Sequence, residues 1–114
     1  SLHCPLTPET RHLMNEKRLA LLKQGAFLIN TGRGPLVDET AVAASLTSGN
    51  LGGYAADVMS AEPPSADNPL ITAPRTILTP HYAWTSRSAR ERMLTISVAN
   101  LSTFLSGTPQ NVVS

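Results

Sequence analysis

The chain has 114 residues, 41% hydrophobic, 15% charged and 4% aromatic, and nine Lys and Arg against eight Asp and Glu leave a formal net charge of +1. A globular chain of this size buries roughly two-thirds of its unfolded surface, enough for one modest core, and two independent domains side by side are excluded. A charge so close to balance gives no electrostatic case for nucleic acid, since the nearest basic cluster, Arg87, Arg90 and Arg92, is interrupted by Glu91.

The chain opens within a pattern, Ser1-Leu2-His3-Cys4-Pro5, without a basic region followed by an apolar stretch, and reads as joined partway through. Leu2 to Cys4 is a possible short strand. Cys4 is the single cysteine, so it has no internal disulfide partner and no second thiol to complete a zinc site. A reducing compartment, hence a cytoplasmic location, is expected. His3 and His12 have no acidic or cysteine neighbours at metal spacing and read as structural or surface residues.

Asn15 then caps a predicted amphipathic helix over Glu16 to Lys23, closed by Gly25. Ala26 to Asn30 reads as a strand buried in the interior of a parallel sheet; its apolar run is far short of the roughly 20 residues that span a bilayer, and no membrane association is expected. After the turn Thr31-Gly32-Arg33-Gly34-Pro35, Asp38 caps a second helix, Glu39 to Ser48, with Val42, Ala43 and Leu46 on one face and Gly49 at its end. Tyr54 to Val58 is a second strand. The prolines and polar residues of 62–69 make an exposed loop, Thr76 to Thr79 is a third strand stopped by Pro80, and Ser86 to Ser106 is a long helix. That helix carries Met93, Leu94, Val98, Leu101 and Leu105 as an apolar stripe before Gly107. Helices alternating with short buried strands predict an α/β fold with a parallel sheet, and three or four strands leave an open edge, so the 114 residues read as part of a larger fold.

Gly32-Arg33-Gly34-Pro35-Leu36-Val37 lies between a strand and a helix, like a dinucleotide-binding turn, but Val37 replaces the third glycine and Asp38 puts a carboxylate where a pyrophosphate would sit. The loop instead offers the Arg33 guanidinium at the carboxyl end of a strand, suited either to a planar carboxylate or to solvent. Glu62 follows the second strand and His81 the third, on the same predicted side of the sheet. A carboxylate beside an imidazole fixes its tautomer and favours its protonated form, which suits a general acid; a loop histidine and a surface acid are the plain alternative. Asp57 ends an apolar strand and needs a partner, a ligand or water. Trp84 either walls a pocket near His81 or packs under the last helix.

Together, Leu2-His3-Cys4-Pro5-Leu6-Thr7-Pro8-Glu9-Thr10, Leu28 to Asp38, Gly53-Tyr54-Ala55-Ala56-Asp57-Val58 and Pro80-His81 resemble the D-isomer-specific 2-hydroxyacid dehydrogenases. Asp57-Val58 to Glu62-Pro63, Ala66-Asp67-Asn68-Pro69-Leu70, His81-Tyr82-Ala83-Trp84 and Ala89-Arg90 are most similar to the glycerate dehydrogenase or hydroxypyruvate (glyoxylate) reductase branch. The resemblance implies the C-terminal half of a Rossmann-type doubly wound sheet over residues 1–84, with 85–114 returning toward a substrate domain. It implies hydride transfer between NAD, or NADP, and a small 2-keto or 2-hydroxy acid, with Arg33, Glu62 and His81 as the catalytic set. Cys4, Pro5, Thr10, Thr31, Gly32, Arg33, Asp57 and His81 are then the expected cofactor contacts, with no metal, and the full-length protein is expected as a homodimer. A non-catalytic, cofactor-sensing relative resembling corepressors on the same scaffold is the alternative. The 114 residues contain no G-x-G-x-x-G turn, so the piece alone is expected to be inactive and to bind NADH weakly.

Overall fold

In the computed structural model, which describes residues 1–113, the polypeptide divides into a unit spanning Ser1–Tyr82 and a second that begins at Ala83. The first contains α1 (Glu16–Leu19), β1 (Ala26–Asn30), α2 (Glu39–Thr47), β2 (Leu51–Ala56), α3 (Pro69–Thr72) and β3 (Thr76–Leu78). The three strands are parallel in the order β1-β2-β3. Asn15 caps α1 as expected, its side chain accepting from the Arg18 amide. The helix is one turn long, however, and does not reach Lys23. Leu21 N bonds to Arg18 O and Leu22 N to Leu19 O, the tighter winding that closes a helix, and Leu21 points into solvent.

Asp38 caps α2 through one carboxylate oxygen that accepts from the Thr40 and Ala41 amides, each at 3.1 Å. The face behind this cap is the expected one: Val42, Ala43 and Leu46 are buried. They join Leu19, Leu28, Leu51, Tyr54 and Leu70 in one apolar cluster, each full burial contributing roughly 1.5–3 kcal/mol. β2 starts three residues before the expected Tyr54 and stops before Asp57 and Val58, which are buried beyond the strand. Gly52 permits the early start, because a Cβ there would sit 2.3 Å from the Gly25 carbonyl oxygen. The segment after the 62–69 loop holds α3, which the sequence reading missed; Asn68 caps it and Pro69 occupies its first turn.

Two expectations about the sheet need correction. Leu2 to Cys4 does not make a fourth strand but a single parallel bridge, Leu2 to Asn30, with the Leu2 amide donating to Ile29 O at 2.9 Å. Nor is β1 buried on both sides: Leu28 and Asn30 are buried while Phe27 and Ile29 are exposed. The reason is one-sided cover, since α1, α2 and α3 all contribute to the cluster on the Leu28–Tyr54 face. Ile29, Ala55 and Ile77 pair across the sheet on the opposite face.

The second unit begins with a 3-10 turn at Ala83–Thr85 and continues as α4 (Arg87–Leu105), capped by the Ser86 hydroxyl, which accepts from the Ala89 amide. Ser106 and Gly107 close it, and the Asn111 side-chain amide donates back to Asn100. The stripe expected from the sequence is present, but Met93, Leu94, Val98, Leu101 and Leu105 are all exposed. No helix among the described residues is long and apolar enough to cross a membrane.

Candidate active site

The carboxyl ends of β1, β2 and β3 each run into a loop that carries a candidate residue, as parallel strands place their ends on one edge. After β1, Asn30 is fully buried and its side chain spans the next turn: the amide accepts from Gly32 N at 3.1 Å and donates to Arg33 O at 2.9 Å. This pair of bonds fixes the backbone on which Arg33 stands. The guanidinium itself is exposed and donates to Gly32 O at 2.8 Å. Behind it, Gly34 packs on the loop that follows β2, and a Cβ there would lie 2.0 Å from the Met59 carbonyl carbon and 2.3 Å from Ser60 N.

After β2, Asp57 is buried at 7% exposure, and its Oδ1 accepts from the Thr79 hydroxyl and from the Tyr82 amide. The charge expected to need a partner therefore finds partners just beyond β3. Glu62 follows on the same loop. Its Oε1 accepts from the Met59 amide at 2.9 Å and its Oε2 meets His81 Nδ1 at 2.7 Å. These bonds, that to His81 first, hold the Glu62 carboxyl below the ordinary carboxylate range. Both side chains are half-exposed, so the pair contributes little to stability and is open to a small molecule.

His81 sits at φ +53°, in the left-handed region that a non-glycine residue enters at a cost on the order of 1 kcal/mol or more. Its amide bond to Thr79 O, at 3.0 Å, and the Glu62 contact hold it there. With Nδ1 toward the carboxylate, the imidazole gains and loses its second proton at Nε2. Beside the pair lies a cavity of about 400 Å³ walled by Met59, Pro63, Leu78 and Thr79, mostly apolar apart from Glu62 and His81.

The remaining expected residues fall around this edge. The Leu2 bridge carries Cys4 and Pro5 past the end of β1, and Thr31 and Gly32 follow that strand directly. Thr10 supports the Pro5–Thr10 turn, its hydroxyl donating to Pro5 O and accepting from Thr7 N, each at 2.7 Å. Thus Glu62 and His81 touch, Asp57 is tied to the backbone of Tyr82 beside His81, and Arg33 stands on the turn packed against Met59 and Ser60. His3 and His12 are exposed, and no group of three His, Cys, Asp or Glu among the described residues could hold a metal ion. Sequence reading missed Asn30, Thr79 and Glu39, which support these loops. Only Asn30 carried a signal, an amide ending an apolar strand before Gly-Arg-Gly.

Residues 1–83 match the family model described as D-isomer specific 2-hydroxyacid dehydrogenase, NAD binding domain. Hydroxypyruvate reductase of Blautia hydrogenotrophica is 43% identical over 114 residues, covering 100% of this chain and 35% of its own length. Glycerate dehydrogenase of Methylorubrum extorquens is 44% identical over 115 residues, covering 99% of this chain and 37% of its own. Among solved structures, the NAD-dependent formate dehydrogenase from Staphylococcus aureus in complex with NAD superposes with a TM-score of 0.83 at 36% identity, over 98% of this chain and 35% of that one. The chain thus spans about a third of the length of the curated relatives it matches.

Proposed function

Because the chain belongs to the D-isomer specific 2-hydroxyacid dehydrogenases through their NAD-binding domain, we propose that its parent polypeptide moves a hydride between NAD(P)H and C2 of a small 2-oxo acid. Hydroxypyruvate or glyoxylate is the substrate class, and Arg33, Glu62 and His81 are the catalytic set. Residues 1–84 serve as the C-terminal part of the nucleotide domain and 85–114 as the return toward a substrate domain. The observation that carries the reading is the 2.7 Å contact of Glu62 Oε2 with His81 Nδ1 at the carboxyl edge of a parallel sheet.

The residues present fit the nicotinamide end of the cofactor and not its pyrophosphate. A buried carboxylate, Asp57, lies at the carboxyl edge that also carries the turn at Thr31 and Gly32 and suits a carboxamide; Cys4, Pro5 and Thr10 are the further cofactor contacts of this proposal. The amino terminus of α2, by contrast, is taken by its own Asp38, which accepts from both Thr40 N and Ala41 N. Reduced nicotinamide, when bound, supplies the hydride.

The chain's side chains do the rest. Glu62 orients the imidazole through Nδ1, and His81 gives a proton from Nε2 to the carbonyl oxygen as negative charge develops there. In the reverse direction neutral His81 takes that proton. Arg33 grips the substrate carboxylate through two parallel hydrogen bonds and sets the carbonyl against His81. In the full-length polypeptide, His81→Ala should lower turnover of hydroxypyruvate by about 10²- to 10⁴-fold while leaving cofactor affinity nearly unchanged. Wild-type turnover in that variant refutes the reading; a wild-type protein that binds cofactor but reduces no 2-oxo acid favours the cofactor-sensing alternative.

A further inference from the structure

We propose that Glu39 is a positioning residue for the Glu62–His81 pair, a carboxylate on α2 that holds both ends of the loop on which Glu62 stands. Glu62 lies in a stretch where every residue from Ser60 to Asp67 is exposed, so burial does not fix its place. Two hydrogen bonds reach this loop from α2, and both end on Glu39: Oε1 accepts from Ser60 N at 2.8 Å and Oε2 from the Asn68 side-chain amide at 2.7 Å. Ser60 precedes Glu62 by two residues and Asn68 follows it by six, so one carboxylate closes the loop across its base. The carboxylate stands on a firm support, because Asp38 caps the helix beside it and Val42 and Leu46 anchor the next turns in the core.

The plain alternative is that Glu39 merely complements the helix dipole from the first turn of α2, as an acid there commonly does. A dipole role would leave Glu62 untouched. The positioning role makes the Glu62 bonds to His81 and Met59 depend on Glu39, and those two bonds are the main reasons its carboxyl titrates low. Removing the Glu39 charge would by itself favour the ionised form of Glu62 and push its titration lower still, whereas loss of position pushes it up. The two effects have opposite signs.

The test is a carbon-13 NMR titration of the Glu62 side-chain carboxyl in the 114-residue chain. In Glu39→Ala it should rise to the ordinary carboxylate range. Glu39→Gln, which keeps an oxygen for Ser60 N but turns an amide toward the Asn68 amide, should rise less. The exchange E39Q/N68D restores the pair, the amide introduced at 39 donating to the carboxylate introduced at 68, and keeps both the net charge and an N-cap for α3. It should return Glu62 to its wild-type titration. A Glu62 titration unchanged or lowered in Glu39→Ala overturns the inference, as does a double variant no closer to wild type than E39Q. If Glu39→Ala loses its dispersed amide spectrum, E39Q and E39Q/N68D carry the comparison alone.

The inference rests on the catalytic reading of Glu62 and His81, but the titration needs no turnover. An unmoved Glu62 refutes the Glu39 tie and an active His81→Ala refutes the reaction, so the two failures are distinct. In the full-length polypeptide E39Q should lower kcat on the order of 10-fold, with the double variant recovering it.

Discussion

Gly34→Ala tests whether the turn bearing Arg33 and the loop bearing Glu62 are held together by backbone contact. Gly34 has no positive φ, so alanine suits its conformation, and restricting the unfolded chain would ordinarily stabilise the protein by about 0.4–1 kcal/mol. Contact reverses the sign. The new Cβ would meet the Met59 carbonyl carbon at 2.0 Å, its oxygen at 2.1 Å and Ser60 N at 2.3 Å, where real Cβ contacts essentially never fall under 3.0 Å. The obstacle is backbone, which no rotamer can relieve, so the two loops must part by about 1 Å. Overpacking of this kind costs about 3 kcal/mol, equivalent to a Tm loss of roughly 10–20 °C in a domain of this size. Thermal unfolding followed by circular dichroism measures it. A displacement of that size at Met59 and Ser60 should also reduce turnover of the full-length polypeptide about 10²-fold. A variant that melts at or above the wild-type temperature refutes the close approach and, with it, the mutual positioning of Arg33 and Glu62.

The Tyr54 hydroxyl is buried with no hydrogen-bond partner among the described residues, so Tyr54→Phe should stabilise the chain by about 1 kcal/mol in denaturant titration; an equal loss would show that the hydroxyl is bonded. Burial pushes the phenol up to about 12 from 10.0, and the Glu39 charge adds to it. Because the folded form keeps its proton longer, wild-type stability should fall from pH 10 toward pH 12 relative to Tyr54→Phe, and parallel curves would refute this. Glu62 has the opposite sign: its folded value lies below the ordinary 4.5, so its contribution is present above pH 4.5 and lost as pH falls through the folded value. The Tm difference between wild type and Glu62→Gln should therefore close below pH 4.5, and one that widens on acidification refutes the assigned pairing. Exposed apolar groups on the sheet, Phe27 and Ile77, and on α4, Leu94 and Leu101, should make the 114-residue chain associate with concentration in sedimentation velocity. Phe27→Lys with Leu101→Lys should weaken that association; a wild-type chain monomeric at every concentration refutes it.

What could be read from sequence divides by the range of the interaction responsible. Asn15 and Asp38 are caps whose partners lie two or three residues away, and each was legible because the signal and its effect occupy the same turn. Glu62 and His81 are 19 residues apart, yet their meeting was also legible, since each follows a strand of one parallel pair and such strands end on one edge. Glu39 was not. Its partners, Ser60 and Asn68, lie 21 and 29 residues away, and an acid at the start of a helix already has a local explanation that conceals the distant one. Thr79 was hidden in the same way, as an ordinary strand-end hydroxyl whose acceptor, Asp57, lies 22 residues back.

The misread burial of β1 has a different origin. Ala26, Phe27, Leu28 and Ile29 are apolar on both sides of the strand, a composition that belongs to a parallel sheet covered on both faces. The described residues cover only the Leu28 face, and Phe27 is left 78% exposed. An amphipathic or two-sided apolar pattern thus reports how many faces a strand is built to bury, and carries nothing about which residues do the burying. The same holds for α4, whose helical period was legible to within a residue at each end while every member of its stripe lies exposed. Periodicity is set by the local backbone and can be read from a window of a few turns. The partner of an apolar face is set by tertiary contact, and no window along the chain contains it.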